Sequence, residues 1–139
     1  MLEITRDAYA QIVATALDEY PLEMCGLLAG PPAPLGGGAG DRGATFSPCT
    51  NVDRSARVYT IDPRDHLRAE TDADDRGWEI NAVVHSHTHS EPFPSPTDVA
   101  AAPDPTWHYV IVGLKREAPE VRSYRIVDGQ ITSEPLLVV

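Results

Sequence analysis

The chain is poor in cysteine, in lysine and in long apolar runs, and each shortage closes off a class of protein. Cys25 and Cys49 are the only cysteines; they are too few for a disulfide framework and are not spaced as a close metal pair. They read as small, mostly buried thiols. Lysine occurs once, at Lys115, no basic run is present, and the net charge is −10, so a phosphate backbone would be repelled and no nucleic-acid partner is expected. No apolar stretch approaches the length that spans a bilayer. The start, Met1-Leu2-Glu3-Ile4, lacks the basic segment and apolar run of a signal peptide. The expectation is a soluble cytoplasmic protein with no membrane partner. A G-x-x-x-x-G-K-[ST] pattern is missing, so the glycines of 30–43 do not read as a phosphate cradle. Also missing is the H-x-E with P-C-x-x-C that a zinc nucleobase deaminase needs.

The 139 residues present, with 42% apolar side chains, can build a core for one domain over residues 1–139. Thr5 can cap a helix on which Ala8, Ile12, Val13, Ala16 and Leu17 recur at helical spacing before Pro21. Cys25–Ala29 reads as a central strand, and 30–43 as a Gly- and Pro-rich surface loop. Ala44–Asn51 reads as a strand interrupted at Pro48, and Arg57–Ile61 as another strand. Asp62 at N-cap, Pro63 at N1 and Asp65 in the first turn start a second helix running to about Asp74, with Gly77 as its stop. Ile80–Val84 and Trp107–Val112 read as strands. Val121–Val127 and Gln130–Ser133 flank Asp128-Gly129, a type I′ hairpin signal. Leu136–Val139 reads as an edge strand. The succession suggests an α/β or α+β layered fold with a mixed sheet.

The chemistry concentrates in His85-Ser86-His87, ten intervening residues, then Asp98, with Ser95 three places before the aspartate. Two imidazoles and a carboxylate are a natural ligand set for Zn²⁺, and three protein ligands leave the fourth position open, as in a catalytic site. The strand is expected to end at Val84 and the chain to bend there, so that both imidazoles reach one ion. Ser95-Pro96-Thr97-Asp98 has the logic of a helix cap, with Ser at N-cap, Pro at N1 and Asp at N3. Asp98 therefore has a purely structural reading as well as a ligand reading. His89 would close the metal site if it were a fourth ligand, and is assigned to the rim. Arg54, Arg57, Arg64 and Arg68 are the one local gathering of positive charge. They are read either as a solvated face or as a contact for a carboxylate, which arginine binds through two hydrogen bonds.

With Glu23 added upstream, the set Glu23, His85, His87, Ser95 and Asp98 resembles the motif of the JAMM/MPN+ metalloproteases, and Glu23-Met24-Cys25-Gly26-Leu27-Leu28 is similar to that family's glutamate-bearing segment. The resemblance implies a mixed β-sheet flanked by helices in a cytidine-deaminase-like architecture. It implies Zn²⁺ on His85, His87 and Asp98, Glu23 as general base, and the Ser95 hydroxyl as donor to the oxyanion. Asn51-Val52-Asp53-Arg54-Ser55 followed by Tyr59, His85-Ser86-His87-Thr88, and Arg122–Gly129 narrow it to the actinobacterial sulfur-carrier-protein–cysteine hydrolases. Those enzymes cut the amide joining the terminal Gly-Gly of a ubiquitin-like sulfur carrier to a cysteine. On this reading Arg54, Arg57, Ser86, Thr88 and His89 are candidate substrate contacts. Thr88 stands where deubiquitinating relatives have Pro, which weakens transfer of their substrate preference. A broader isopeptidase and a non-catalytic MPN-type binding module are the alternatives, and a homodimer is compatible with the chain.

Overall fold

The computed structural model describes residues 1–32 and 41–139. In chain order they form β1 (Leu2–Ile4), α1 (Arg6–Glu19), β2 (Cys25–Gly30), β3 (Asp41–Gly43), β4 (Thr45–Cys49), α2 (Pro63–Asp75), β5 (Glu79–His87), α3 (Pro96–Ala100), β6 (His108–Gly113), β7 (Glu120–Val127), β8 (Gln130–Glu134) and β9 (Leu136–Val138). Six strands make one sheet in the order β4-β2-β5-β6-β7-β8. Only the central β5·β6 pair is parallel, the other four being antiparallel. The sheet is thus mixed and flanked by helices, as expected.

The helices start where the sequence places them. The Thr5 side chain accepts from Ala8 N, Asp62 accepts from Arg64 N ahead of Pro63, and Ser95 forms a reciprocal capping box with Asp98. Asp128 and Gly129 carry φ of 51° and 76°, the two positive values that a type I′ turn requires. Pro48 is tolerated because β4 is an edge strand and loses no essential ladder donor there.

Three expectations are corrected. Arg57–Ile61 is not a strand; apart from a single bridge between Asn51 and Ile61, residues 51–60 form a loop wound around the Asn51 side chain. Part of 30–43 is strand: β3 lies parallel to β1, which lies parallel to β9 in a second, three-stranded sheet. The rest of that proposed loop, 33–40, lies outside the described residues. The third correction concerns β5, which does not end at Val84 but continues through His87. On extended backbone, residues two apart share a face, so His85 and His87 project together without any bend.

Alternation along β5 also sorts the two cores. Ala82 and Val84 join Ile12, Ala16, Leu28 and Val110 under α1 and the small sheet. Val83 joins Leu27, Ile111, Tyr124 and Ala69 of α2 on the opposite face. Each fully buried aliphatic side chain contributes about 1.5–3 kcal/mol, so both faces hold β5 rigidly. His85 and His87 project on the Val83 face, toward α2 and α3. No described helix is long and apolar enough to cross a membrane.

Candidate metal centre

Three side-chain atoms converge at the end of β5. His85 Nε2 lies 3.1 Å from His87 Nε2, and Asp98 Oδ2 lies 3.2 Å from the first and 3.0 Å from the second. Both imidazoles are buried. Asp98 arrives from the first turn of α3, its Oδ2 also accepting from Ser95 N at 2.9 Å, so the capping box fixes the carboxylate. The structural and ligand readings of Asp98 are compatible, since one oxygen meets both demands.

Ligand atoms around a four-coordinate ion at roughly 2.0–2.1 Å stand about 3.3 Å apart. The observed triangle is close to that spacing. A proton can bridge only one of its sides at a time, leaving lone pairs facing each other in a buried place. A divalent cation satisfies all three, so the residues fit zinc. His87 is oriented for this: its Nδ1–H donates to the Glu91 carbonyl at 2.7 Å, so in the neutral ring Nε2 carries the lone pair. Tyr59 stacks on His85 with ring centroids 4.5 Å apart and planes at 23°.

Glu23 is brought in from the segment before β2. It is 3% exposed, Oε1 has no hydrogen-bond partner, and it offers an oxygen within 4.8 Å of ring nitrogens of His85 and His87, a group that could itself hold a metal ion. Burial pushes its carboxyl up to about 7, with His87 pulling down and Asp98 pushing up. Burial also opposes the Asp98 carboxylate, but hydrogen bonds from His85 and His87 hold it well below the usual range. Burial lowers His85. At His87 burial acts the same way, and Asp98 and the Glu91 carbonyl outweigh it, so that ring is raised.

The remaining sequence candidates separate clearly. Ser95 stands at the site's edge with Oγ accepting from Asp98 N at 3.1 Å, its hydroxyl hydrogen left for another acceptor. Ser86 points to the opposite face, is fully buried, and accepts from Met24 N at 2.7 Å; it braces the segment carrying Glu23 and offers no surface to a substrate. Thr88 is 2% exposed and donates to Ala56 O at 3.1 Å, tying loop 51–60 to the end of β5. His89 is exposed, its ring 5.8 Å from Tyr20. Arg54 and Arg57 are exposed on loop 51–60, whereas Arg64 and Arg68 pair with Asp62 and Asp65. Asn51 and Tyr59 also belong to the site. Both lie in the Asn51–Ser55 and Tyr59 segments that carry the family resemblance, but only the folded loop shows what they touch.

Residues 5–127 match the family described as prokaryotic homologs of the JAB domain. The CysO-cysteine peptidase of Mycobacterium tuberculosis (strain ATCC 25618 / H37Rv) is 42% identical over 144 residues, covering 100% of this chain and 92% of that protein. The desampylase of Haloferax volcanii is 31% identical over 116 residues, covering 79% and 78%. Among solved structures, a protein from Desulfitobacterium hafniense superposes with a TM-score of 0.88 at 28% identity, covering 100% of this chain and 93% of that one. A JAB1/MPN domain protein from Archaeoglobus fulgidus, at TM-score 0.62 and 19% identity over 99% and 97% of the two chains, shares the fold.

Proposed function

The chain belongs to the prokaryotic homologs of the JAB domain, and from that premise we propose that it is a zinc-dependent hydrolase of a ubiquitin-like sulfur-carrier protein. It cuts the amide after the carrier's terminal Gly-Gly, releasing cysteine and regenerating the carrier. The observation that carries the reading is the 3.0–3.2 Å triangle of His85, His87 and Asp98 with a buried, unpartnered Glu23 beside it. The 42% identity to a CysO-cysteine peptidase supports the choice of substrate.

His85 Nε2, His87 Nε2 and Asp98 Oδ2 would hold the ion. Bound Zn²⁺ supplies Lewis acidity, lowering the pKa of water toward neutrality and polarising a carbonyl. Glu23, buried beside the ligand triangle, takes a proton from the attacking water and returns it to the departing amine. The carbon–nitrogen bond breaks, the carrier leaves with a glycine carboxylate, and cysteine leaves as the free amino acid. The Ser95 hydroxyl donates to the developing oxyanion while its oxygen keeps the helix cap. The carboxylate beside Ser95, Asp98, is committed to the ion and water is the nucleophile, so no acyl-enzyme is required. Arg54 and Arg57, exposed on loop 51–60, and the exposed His89 would then be the contacts for the carrier or for the carboxylate of its terminal cysteine.

The test is incubation of the zinc-loaded protein with a carrier–cysteine adduct and weighing of the product. Loss of one cysteinyl residue is expected; an unchanged mass beside an active relative rejects the reading. A broader isopeptidase draws on the similarity to the Haloferax desampylase, and cleavage of lysine-linked carrier fusions at comparable rates would favour it. A purely binding module would contain no stoichiometric zinc.

A further inference from the structure

Loop 51–60 touches both halves of the site. Glu23 N–H donates to Ser55 O at 2.8 Å, and Glu23 C=O accepts from Asn51 Nδ2 at 3.1 Å. The base is therefore gripped by both of its backbone polar groups, and both grips come from one loop. The same loop receives the Thr88 hydroxyl on Ala56 O and lays Tyr59 on His85. Its shape depends on one amide. Asn51 Nδ2 also donates to Val58 O at 3.1 Å, and Oδ1 accepts from Asp53 N and Thr60 N, each at 3.1 Å. All the donors of that side chain are engaged, and two ends of the loop are pulled together by it.

We propose that Asn51 is a positioning residue for the hydrolysis: its amide holds loop 51–60 closed and thereby sets where the Glu23 carboxylate stands relative to His85 and His87. The inference rests on Glu23 acting as the base. It explains why a carboxylate with no hydrogen-bond partner of its own keeps one location: the main chain is clamped, and the side chain is left free to exchange a proton.

The decisive variant is Asn51→Asp, which keeps the acceptor for Asp53 and Thr60 but puts an oxygen against the carbonyls of Glu23 and Val58. Turnover of a carrier–cysteine adduct should show kcat down roughly 10–100-fold, a partial loss of the about 10²–10⁴-fold that a positioned general base contributes, with KM within about twofold and zinc content unchanged. Amide hydrogen exchange of the metal-free protein supplies a readout that needs no activity. The Glu23 amide should exchange at least about tenfold faster in Asn51→Asp, while the amides of Leu27 and Val84 keep their protection. Thr60→Val removes a different bond of the same loop, Thr60 Oγ1 to Asp53 Oδ2 at 2.6 Å, and should leave kcat near the parent value. Unchanged exchange at Glu23, unchanged kcat in Asn51→Asp, or an equal kcat loss in Thr60→Val would each overturn the proposal. If the parent protein leaves the adduct intact, the proposed function falls, and exchange at Glu23 still decides whether Asn51 clamps it.

Discussion

Among the described residues, two buried histidine–carboxylate clusters are built from the same residue types, and they have opposite designs. At the end of β5, two imidazoles turn their Nε2 atoms onto one another and onto a single oxygen of Asp98, and neither Glu23 Oε1 nor His85 Nδ1 has a partner. At the start of β6, His108 directs its two nitrogens in opposite directions. Nε2 meets Asp41 Oδ2 at 2.7 Å, and Nδ1 forms a short hydrogen bond with Glu134. Glu134 also accepts from Ser123 Oγ at 2.8 Å and from the Met1 ammonium at 3.0 Å. Every ring nitrogen there has its own acceptor, and the contacts link the small sheet's β3 to β6, β7 and β8. Residue composition does not separate a site from a staple; convergence does. Lone pairs aimed at one point invite a cation, whereas hydrogen bonds spread outward join elements.

The sharpest way to break this contrast is to neutralise the base. Glu23→Gln should lower turnover of a carrier–cysteine adduct by about 10²–10⁴-fold, the range for a positioned general base, while retaining one equivalent of zinc. Product mass and metal analysis on the same sample check both halves. Normal turnover would remove Glu23 from the chemistry, and loss of zinc would make it a ligand.

The converse experiment targets the staple. His108→Ala leaves Glu134 and Asp41 without their shared partner, and a buried acceptor stripped of its hydrogen bond costs about 1–3 kcal/mol, more when the acceptor is charged. Thermal unfolding should shift downward by roughly 10 °C or more, with zinc content and turnover per folded molecule unchanged. A selective loss of activity without loss of stability would merge the two clusters into one functional unit. Zinc itself should act only on the first cluster. At a free concentration near 100 times its dissociation constant it should stabilise the parent protein by about 2.7 kcal/mol, and His108→Ala by the same amount. Asp98→Asn should lose most of that increment in a melting titration.

Much of this was legible beforehand where the signal is local. The caps at Thr5, Asp62-Pro63 and Ser95-Pro96 and the Asp128-Gly129 turn each involve neighbours within three or four residues, and the ligand spacing was visible in the chain. What failed is non-local. Leu2–Ile4 and Asp41–Gly43 are too short to carry a period and become strands only by pairing with each other and with Leu136–Val138. Arg57–Ile61 has strand-like composition, but the Asn51 amide wins its backbone. The continuation of β5 through His87 was missed because histidines and serine carry no apolar alternation, although the period of two alone would have put both rings on one face. His108 lies in the strand-like run Trp107–Val112, which says nothing of its partners; they are Glu134 and Asp41, residues 26 and 67 positions away.

The smallest effect distinguishes Glu23 from Glu134 by sign. Burial raises Glu23 to about 7 in the metal-free protein, so between roughly pH 4.5 and 7 the folded state holds a proton that the unfolded chain has released. Stability then falls as pH rises through that window. Burial also opposes ionisation of Glu134, but hydrogen bonds from His108, the N-terminus and Ser123 bring it down to about 2. Its contribution is complete above the ordinary glutamate value and is lost as pH falls from about 4.5 toward 2. Each swing should be on the order of 1–3 kcal/mol. Urea titrations of metal-free protein across pH should therefore give a stability maximum near pH 4.5–5 from these two groups. Glu23→Gln should flatten the descent on the alkaline side and leave the acid side in place. If that variant keeps the descent toward pH 7, the buried carboxylate is balanced by its surroundings, and the claim that this cluster is built around an unmet demand for a cation fails with it.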